Sequence, residues 1–178
     1  MSTIPGVLSP EECALIISEV EAAGPEEAPV TTRHGMVMMK HIRNNRRVMM
    51  DDPDRATRLW ERVRQDIVPH FEGWDAIGLN ERSRYYRYDV GQYFAPHYDG
   101  SFARSPVEKS WFTLMAYLND GFEGGETAFL DRPEVIIEPR AGDAPVFFHA
   151  QCHEGRTVTR GRKYALRTDA MYRRRGER

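Results

Sequence analysis

A histidine and an aspartate lie two positions apart in the segment "YRYDVGQYFAPHYDGSF", at His97 and Asp99. Residues i and i+2 of a β-strand point to the same face, so the imidazole and the carboxylate would project together. They would supply two ligands of the 2-His-1-carboxylate arrangement that suits non-haem Fe(II). The same pair occurs by chance in many chains, and taken alone it is better explained as a surface pair or part of a turn.

A third metal ligand would have to come from elsewhere in the chain, and two downstream histidines are candidates. His149 and His153 both lie in the segment "FFHAQCHEGRTVTRGRKYALRTDAMY". A single histidine near the end of a strand is more often a hydrogen-bonded structural residue than a ligand. The residue types alone therefore leave open which of the two, if either, binds a metal.

The segment "RKYALRTDAMY" predicts a strand with charged residues on one face. Alternation assigns four residues to each face: Lys163, Ala165, Arg167 and Asp169 to one, and Tyr164, Leu166, Thr168 and Ala170 to the other. A lysine and an arginine separated by the small Ala165 would form a slot for an anionic group. An edge strand whose charges face water explains the pattern about equally well, and both interpretations stay open at this point.

Two helices are predicted in the first third of the chain. Ser9 caps the first and forms a capping box with Glu12, and Gly24 closes it. Asp52 caps the second, which begins at Pro53. Both segments keep the helical period of apolar residues, at Cys13, Ile16, Ile17 and Val20 and at Ala56, Leu59, Trp60, Val63 and Ile67. The segment between them, "TRHGMVMMKHIRNNRRVMM", predicts a hairpin or a loop.

From about residue 84 the chain changes to short aromatic and β-branched runs separated by turns such as "GFEGGE", "DRPE" and "RAGD". Many short, closely spaced strands favour a β-sandwich or jelly roll, with the two helices on one outer face. We therefore predict an α+β fold in a single domain, residues 1–178. Its expected parts are a helical support at 1–83, a catalytic core at 84–172 and a basic tail at 173–178.

The composition narrows the classes of function. The chain has 178 residues, 40% of them hydrophobic and 29% charged, as expected for one globular domain. Its net charge of -2 argues against a nucleic-acid partner, and no segment resembles a signal peptide or a bilayer span. Two cysteines, Cys13 and Cys152, provide no disulfide framework. We therefore expect a cytoplasmic protein, in a compartment compatible with Fe(II), with no membrane or nucleic-acid partner.

Three blocks together resemble the catalytic core of the Fe(II)- and 2-oxoglutarate-dependent dioxygenases, in particular the prolyl 4-hydroxylase-like branch. They are "YDVGQYFAPHYD", "TLMAYLNDGFEGGETAF" and "HEGRTVTRGRKYALRTDAMY", and the resemblance covers residues 86–172, about half the chain. It implies a double-stranded β-helix, or jelly roll, that binds Fe(II), 2-oxoglutarate and O₂. It also implies hydroxylation of an unactivated C–H bond with succinate and CO₂ as co-products, and it suggests ascorbate as a reductant.

The resemblance assigns the metal ligands. His97 and Asp99 match the first two iron ligands of the family. The family's distal histidine lies ten residues before a basic residue that binds the far carboxylate of 2-oxoglutarate. His153 lies ten residues before Lys163, whereas His149 does not keep that spacing. The resemblance therefore implies that His97, Asp99 and His153 bind the iron.

The resemblance also assigns the contacts of the cosubstrate. Lys163 matches the basic residue that binds the far carboxylate, and Tyr88, nine positions before the first histidine ligand, matches a tyrosine reaching the same group. Thr127 matches a threonine that lines the pocket, and Tyr117 lies on the strand expected to cross its floor. Arg167 is a further candidate, and whether it shares the carboxylate with Lys163 stays open.

The type of reaction and the substrate are less closely defined. Asp99 is a carboxylate, which favours hydroxylation over the halogenation implied when a small residue replaces it. Tyr164 stands where the branch often has tryptophan, and Arg167 and Asp169 also depart from its usual residues. The substrate is therefore a prolyl or other protein side chain, or alternatively a free amino acid or small metabolite. A cupin-like metal enzyme and a metal-binding module without 2-oxoglutarate turnover are the alternatives of another class.

Three further features allow more than one interpretation. Residues 41–48 form a substrate loop or, more commonly for such a sequence, a solvated loop. Residues 100–110, with Arg104, form a mobile flap or an ordinary connection. Glu154 either orients the neighbouring His153 or lies on the surface.

Overall fold

The computed structural model describes residues 1–32 and 35–176. Residues 33–34, within the predicted hairpin or loop, and residues 177–178, at the end of the predicted basic tail, lie outside the described residues. The described residues form two helices, α1 (Pro10–Ala22) and α2 (Pro53–Val63), and eighteen mostly short strands. None of the helices in this part of the chain is long and apolar enough to cross a membrane.

The strands are spread along the whole chain, and most of them follow α2. The first nine are β1 (Ser2–Ile4), β2 (Glu26–Glu27), β3 (Val30–Thr32), β4 (Gly35–Val37), β5 (Arg46–Asp51), β6 (His70–Phe71), β7 (Trp74–Leu79), β8 (Arg82–Tyr88) and β9 (Phe94–His97). The remaining nine are β10 (Ala103–Ser105), β11 (Glu108–Tyr117), β12 (Glu123–Gly124), β13 (Thr127–Phe129), β14 (Val135–Ile137), β15 (Ala144–Phe148), β16 (His153–Gly155), β17 (Val158–Arg160) and β18 (Lys163–Arg174).

Both helices begin at the predicted caps. The backbone N–H of Glu12 donates to Ser9 Oγ at 3.2 Å and the backbone N–H of Ser9 donates to Glu12 Oε2 at 2.8 Å, which completes the capping box. The N–H of Arg55 donates to Asp52 Oδ1 at 2.8 Å at the start of α2. Gly24, just beyond α1, has φ +69°, a left-handed conformation that favours glycine.

Two β-sheets face each other, and this confirms the predicted α+β jelly-roll architecture, although the sheets do not close into a barrel. The major sheet has ten strands, ordered β1-β15-β11-β18-β8-β5-β2 along its main path, with β7 also pairing with β18. The minor sheet has four, ordered β14-β13-β16-β9. The two remaining pairs are β12 with β17 and β3 with β4.

The helices pack on the outer face of the major sheet, as predicted. Their buried apolar residues join outward-facing sheet residues in one core, which includes Cys13, Ile16, Val20, Leu59, Val63, Tyr85, Leu114, Leu166 and Tyr172. Burial of this apolar area is the main favourable contribution to folding. The other face of the major sheet is left to face the minor sheet, and the pocket described below lies between them.

The N-terminal part of the chain contributes strands as well as helices to this architecture. β1 pairs with β15, and β5 pairs with β8 inside the major sheet. The segment predicted as a hairpin or loop begins at the last residue of β3; it contains β4, which pairs with β3, and most of β5. At the other end β18 continues to Arg174, so the predicted tail begins within a strand. The proposed division into parts stays a prediction.

Strand β18 lies inside the major sheet, so the edge-strand interpretation of its charged face is wrong. β11 pairs along one side of it, while β8 and β7 pair along the other. Lys163, at its first position, is only 3% exposed. Lys163, Arg167 and Asp169 therefore face the interior between the two sheets, whereas Arg173 and Arg174 at the end of the strand are exposed.

The capping box gives a prediction about stability. Ser9→Ala should lower the free energy of unfolding by about 1 kcal/mol, because the backbone N–H of Glu12 loses the Ser9 hydroxyl that accepts its hydrogen bond. Ser18→Ala, the same substitution inside α1, is the matched control and should not lower it, since alanine has the higher helix propensity. Urea unfolding followed by circular dichroism measures both. Equal midpoints for Ser9→Ala and the wild type would contradict the assigned role of the cap.

Candidate functional site

Two histidines are brought together by the pairing of β9 with β16. In this antiparallel pair His97 lies directly opposite His153. Asp99 follows the end of β9, where its backbone N–H donates to the carbonyl of His149 at 3.0 Å. One potential ligand atom from each of His97, Asp99 and His153 lies within 4.8 Å of the other two. Residues more than fifty positions apart in the sequence thus form one compact donor set.

Both imidazoles are held in the same way. His97 Nδ1 lies 2.9 Å from the carbonyl oxygen of Ala95, and His153 Nδ1 lies 3.0 Å from that of Gln151. A carbonyl oxygen only accepts, so each ring carries its proton on Nδ1 and leaves the Nε2 lone pair free. The two Nε2 atoms lie 3.8 Å from the two carboxylate oxygens of Asp99, one from each. Fixing the tautomer in this way is typical of metal-binding histidines.

The charge states of these groups suit a divalent metal ion. Burial lowers the pKa of His97 to about 3, so this ring is neutral near pH 7. Burial raises the pKa of Asp99, but the nearby Arg167 guanidinium, with the two histidines and the Thr113 hydrogen bond, outweighs that effect and lowers the pKa to about 2. The Thr113 hydroxyl also donates to Asp99 Oδ2 at 2.6 Å. A neutral imidazole and an ionised carboxylate are the forms that bind metals.

A cleft that is partly open to solvent lies beside this donor set. Residues from both sheets line it: Tyr86, Tyr88, Phe94, His97, Asp99, Met115, Thr127, Phe147, His153, Glu154, Gly155, Lys163, Ala165 and Arg167. Lys163, Ala165 and Arg167, predicted to share one face of their strand, all line it.

Lys163 is a buried cation at one end of the cleft. Its Nζ donates to the carbonyl of Gly125 at 2.6 Å. Among the described residues no carboxylate forms an ion pair with it. Burial lowers its pKa to about 7, and Glu126 opposes this only through a longer-range attraction. The ammonium group is therefore left without a counter-ion in a desolvated position, where an anionic ligand would stabilise it.

Two tyrosine rings flank this lysine. The Tyr117 hydroxyl donates to Thr127 Oγ1 at 2.8 Å, and the rings of Tyr88 and Tyr117 lie 5.4 and 5.3 Å from Lys163 Nζ. Burial raises the pKa of both tyrosines, so both hydroxyls remain protonated donors. Tyr117 is absent from the cleft lining, and it reaches the cleft only through its bond to Thr127.

Arg167 lies at the other end of the strand face, beside Asp99. Its Nη1 is 3.1 Å from Asp99 Oδ1, and its Nη2 donates to Asp169 Oδ1 at 3.0 Å. Arg84 donates to the other oxygen of Asp169 at 3.2 Å. Four residues along a strand separate Lys163 from Arg167 by about 13 Å between their Cα atoms. The guanidinium of Arg167 is thus engaged at the metal end, away from Lys163.

The other sequence candidates lie outside the donor set. His149 is buried behind it, where its Nε2 lies 2.9 Å from Ser110 Oγ and its Nδ1 lies 3.1 Å from Thr113 Oγ1. Glu154 lines the cleft, but it accepts a hydrogen bond from Arg156 at 3.4 Å, and the Gln151 carbonyl orients His153 instead.

The two candidate substrate loops are both anchored. Residues 41–45 pack against the start of β9, where Arg43 forms an isolated β-bridge with Phe94 and the N–H of Ala95 donates to the carbonyl of Ile42 at 2.7 Å. Residues 46–48 belong to β5. Within residues 100–110, Arg104 forms ion pairs with Glu81 and Glu108.

Sequence reasoning missed Phe94, which stacks on the His97 ring with the centroids 3.5 Å apart. Simple alternation would place residues 94 and 97 on opposite faces of β9. The register instead advances three positions along β9 for two along β16, and this bulge brings both side chains to the same side. Tyr86, Met115 and Phe147 were also missed as lining residues, and Thr113 as the donor to Asp99.

Comparison with known proteins agrees with this geometry. The family model described as the 2OG-Fe(II) oxygenase superfamily matches residues 83–168. A curated relative, "Probable prolyl 4-hydroxylase 11" of Arabidopsis thaliana, is 39% identical over 67 residues, which are 34% of this chain. The match spans only 22% of the Arabidopsis protein.

Solved structures show the same fold over nearly the whole chain. A viral collagen prolyl hydroxylase of Paramecium Bursaria Chlorella virus-1, in a 2OG complex, has a TM-score of 0.65 and 21% identity, and the match covers 97% of this chain and 95% of that one. A Pseudomonas putida prolyl-4-hydroxylase has a TM-score of 0.66 and 22% identity, covering 98% and 92%. A Trichoplax adhaerens prolyl hydroxylase, bound to a hypoxia inducible factor peptide fragment, has a TM-score of 0.71 and 14% identity, covering 95% and 82%.

The donor set predicts a metal site that depends on Asp99. Asp99→Asn should reduce Mn(II) affinity by about 100-fold or more, since even outer-shell partners of ligands typically contribute 10–100-fold. Electron paramagnetic resonance of free Mn(II) measures the affinity. Asp66→Asn, on an exposed residue, makes the same charge change and should leave it unchanged. Metal binding that survives Asp99→Asn at wild-type strength would show that the donor set is not the metal site.

Proposed function

We propose, from the match of residues 83–168 to the model of the 2OG-Fe(II) oxygenase superfamily, that this protein is an Fe(II)- and 2-oxoglutarate-dependent dioxygenase. It hydroxylates an unactivated C–H bond and releases succinate and CO₂. The single observation that carries the proposal is the buried ammonium of Lys163, which has no ion-pair partner among the described residues. It shares one cleft with a compact His-Asp-His donor set.

The donor set fits Fe(II). Two neutral imidazole nitrogens and one carboxylate make the facial arrangement that leaves open positions on non-haem iron. His97, Asp99 and His153 would hold the ion, and the Ala95 and Gln151 carbonyls would keep both rings oriented. When bound, the iron supplies, with 2-oxoglutarate and O₂, an oxidant strong enough to attack an unactivated C–H bond.

The opposite end of the cleft would hold the cosubstrate. Lys163 would neutralise its far carboxylate, which otherwise would be costly to desolvate. Tyr88 is suited to donate to the same carboxylate, because its hydroxyl has no hydrogen-bond partner among the described residues. Thr127, whose oxygen accepts from Tyr117, is left with its own proton to donate. Phe94 and Phe147 also line the cleft and would limit the access of water once the ligands are bound.

This arrangement favours a 2-oxoglutarate enzyme over a cupin-like enzyme or a simple metal-binding module. Neither alternative needs a buried lysine at the far end of the cleft. A uniformly apolar wall would be more stable there, since burying an unpaired ammonium costs free energy. A single ligand that would bind the metal at one end and place a carboxylate against Lys163 at the other accounts for both ends of the cleft at once.

We propose the substrate as a chemical class and not as a single compound. Relatives are named as prolyl hydroxylases, and one is seen with a peptide fragment, which supports a prolyl or other protein side chain. Arg167 and Asp169 form a charged pair beside the metal ligands of this chain, and this supports a free amino acid or small metabolite as the alternative.

We also propose a reducing compartment such as the cytoplasm, because Cys13 and Cys152 are both free thiols. Ascorbate as a reductant stays a prediction.

An anaerobic titration tests the function. Fe(II) and 2-oxoglutarate added together should produce the weak visible charge-transfer band of the chelate, and air should then release succinate. Lys163→Met should weaken 2-oxoglutarate binding by about 100-fold or more, as removal of a charge-assisted contact in a buried site predicts. Lys40→Met, an exposed lysine paired with Glu27, is the control. Absence of both the band and 2-oxoglutarate affinity would refute the function.

The assignment of Lys163 as the anchor of the cosubstrate can be tested separately from the proposed function. If Lys163→Met binds 2-oxoglutarate as the wild type does while Arg167→Met loses it, the carboxylate is anchored by Arg167 instead. The charge-transfer titration distinguishes these outcomes, since it reads cosubstrate binding in either variant.

The titration of Lys163 predicts that the affinity for 2-oxoglutarate depends on pH. Without ligand its pKa is about 7, so raising the pH through this value removes the proton that an anionic ligand requires. The affinity for 2-oxoglutarate should therefore fall above neutral pH, by at most about tenfold per pH unit. In Lys163→Arg the guanidinium stays protonated, and the fall should disappear even if the absolute affinity is lower. Parallel pH profiles for the wild type and Lys163→Arg would contradict this assignment.

A further inference from the structure

Four arginines gather beside the metal donor set, on the side of the major sheet that faces the cleft. In the antiparallel register Arg47 of β5 lies opposite Tyr86 of β8, and Arg84 of β8 lies opposite Arg167 of β18. Residues directly opposite in such a pair share one face of the sheet. Arg43, just before β5, completes the group, since its guanidinium lies 5.1 Å from the Tyr86 ring centroid.

Only two of the four positive charges in this group form ion pairs with a carboxylate among the described residues. Arg84 and Arg167 form ion pairs with Asp169, and Arg167 also pairs with Asp99. Within the described residues neither Arg43 nor Arg47 has a carboxylate partner. Four guanidinium groups thus face two carboxylates, and both unpaired positive charges lie on the side of β5.

Arg43 is buried next to the metal donor set. It is 4% exposed, and its Nε and Nη2 donate to the neutral Asn45 Oδ1 at 3.0 and 2.8 Å. Its guanidinium stacks over Phe94 at 4.2 Å from the ring centroid, and Phe94 in turn stacks on His97. One aromatic ring therefore separates this cation from a metal ligand. Its Nη1 has no acceptor among the described residues.

The group acts electrostatically as one cluster. Burial raises the pKa of the Tyr86 hydroxyl, but Arg167, Arg43 and Arg84 outweigh it and hold this pKa below its usual value. Burial lowers the pKa of Arg47, Tyr86 opposes that, and the other three arginines lower it further. Positive charge is thus concentrated where the chain supplies too few anions, which is the arrangement of an anion-binding site.

We propose that Arg43 and Arg47 bind a carboxylate of the prime substrate, so that the enzyme acts on an acid. The inference rests on the proposed function, because it places the acid beside the iron ligands and leaves Lys163 to the cosubstrate. A planar guanidinium matches a carboxylate with two parallel N–H···O bonds, which fixes orientation as well as charge. The carboxylate belongs to a small organic acid or to an acidic residue of a peptide.

A direct binding experiment uses a matched pair of neutral and charged probes. N-acetylglycine carries a carboxylate, and N-acetylglycinamide has the same shape without the charge. Each is added to protein saturated with Mn(II) and with N-oxalylglycine, an unreactive analogue of 2-oxoglutarate. Broadening of the probe's proton resonances by the Mn(II) reports binding close to the metal. The acid should be broadened strongly and the amide weakly.

Two neighbouring arginines provide a variant and its control. Arg47→Met should weaken binding of the acid by about tenfold or more, the loss of a charge-assisted contact. Arg46→Met makes the same charge change at an exposed residue of the same strand, whose side chain donates to the Pro25 carbonyl and to no other described residue, and should leave the affinity unchanged. Arg43→Gln is a second variant and should weaken the same binding.

Three results would overturn the proposal. They are equal broadening of acid and amide, no broadening of the acid, and wild-type affinity for the acid in Arg47→Met. The same samples report whether Mn(II) and N-oxalylglycine bind the wild type. If these fail to bind, the proposed function is wrong; if they bind and the acid does not, only the present proposal is wrong.

A turnover experiment separates the two sources of the carboxylate. Succinate release by the wild type is measured with free N-acetyl amino acids and with capped peptide amides that contain one internal aspartate or glutamate. Stimulation by the first group identifies a small acid, and stimulation by the second identifies an acidic peptide. Stimulation by a capped, neutral prolyl peptide amide that exceeds both would overturn the proposal.

Discussion

The pairing of β9 with β16 is the constraint on which the site depends. It places His97 opposite His153, while the backbone bond from Asp99 to the His149 carbonyl brings the carboxylate to the same point. The minor sheet thus supplies the donor set, and the major sheet supplies the charges that surround it. Any slip of one residue in this register would turn one histidine away from the other, because side chains alternate across a strand.

Unpaired positive charge is the second principle of the site. Lys163 at one end of the cleft and Arg43 near the other are both less than 5% exposed and have no carboxylate partner among the described residues. Buried cations of this kind cost folding free energy, so a well-packed apolar residue would be more stable in either place. The proposed ligands would account for their presence by bringing negative charge, a cosubstrate at one end and a substrate at the other.

Much of the fold and part of the candidate site could be predicted from the sequence, and the sequence signal differs from residue to residue. Capping residues and the helical period located both helices, and alternation correctly placed Lys163, Ala165 and Arg167 on one inward face. The ligand set required a resemblance, because no local pattern chooses His153 over His149. Phe94 and the Arg43 stack were not predictable, since a bulge changes the direction of a side chain and a contact across a loop has no sequence period.

The charged residues of β18 show how one strand serves two purposes. Arg84, Asp169, Arg167 and Asp99 form a chain of alternating charge that ends at a proposed metal ligand. Such a buried network is weak evidence for stability, but its members hold one another in fixed positions because each loss would leave a buried charge unpaired. Arg167 is therefore better explained as a residue that positions Asp99 than as an anchor for the cosubstrate. Among the described residues Lys163 donates only to a neutral carbonyl, so an anion could still pair with it. In the proposed function, the same face of one strand would thus separate positioning of the metal ligand from binding of the cosubstrate.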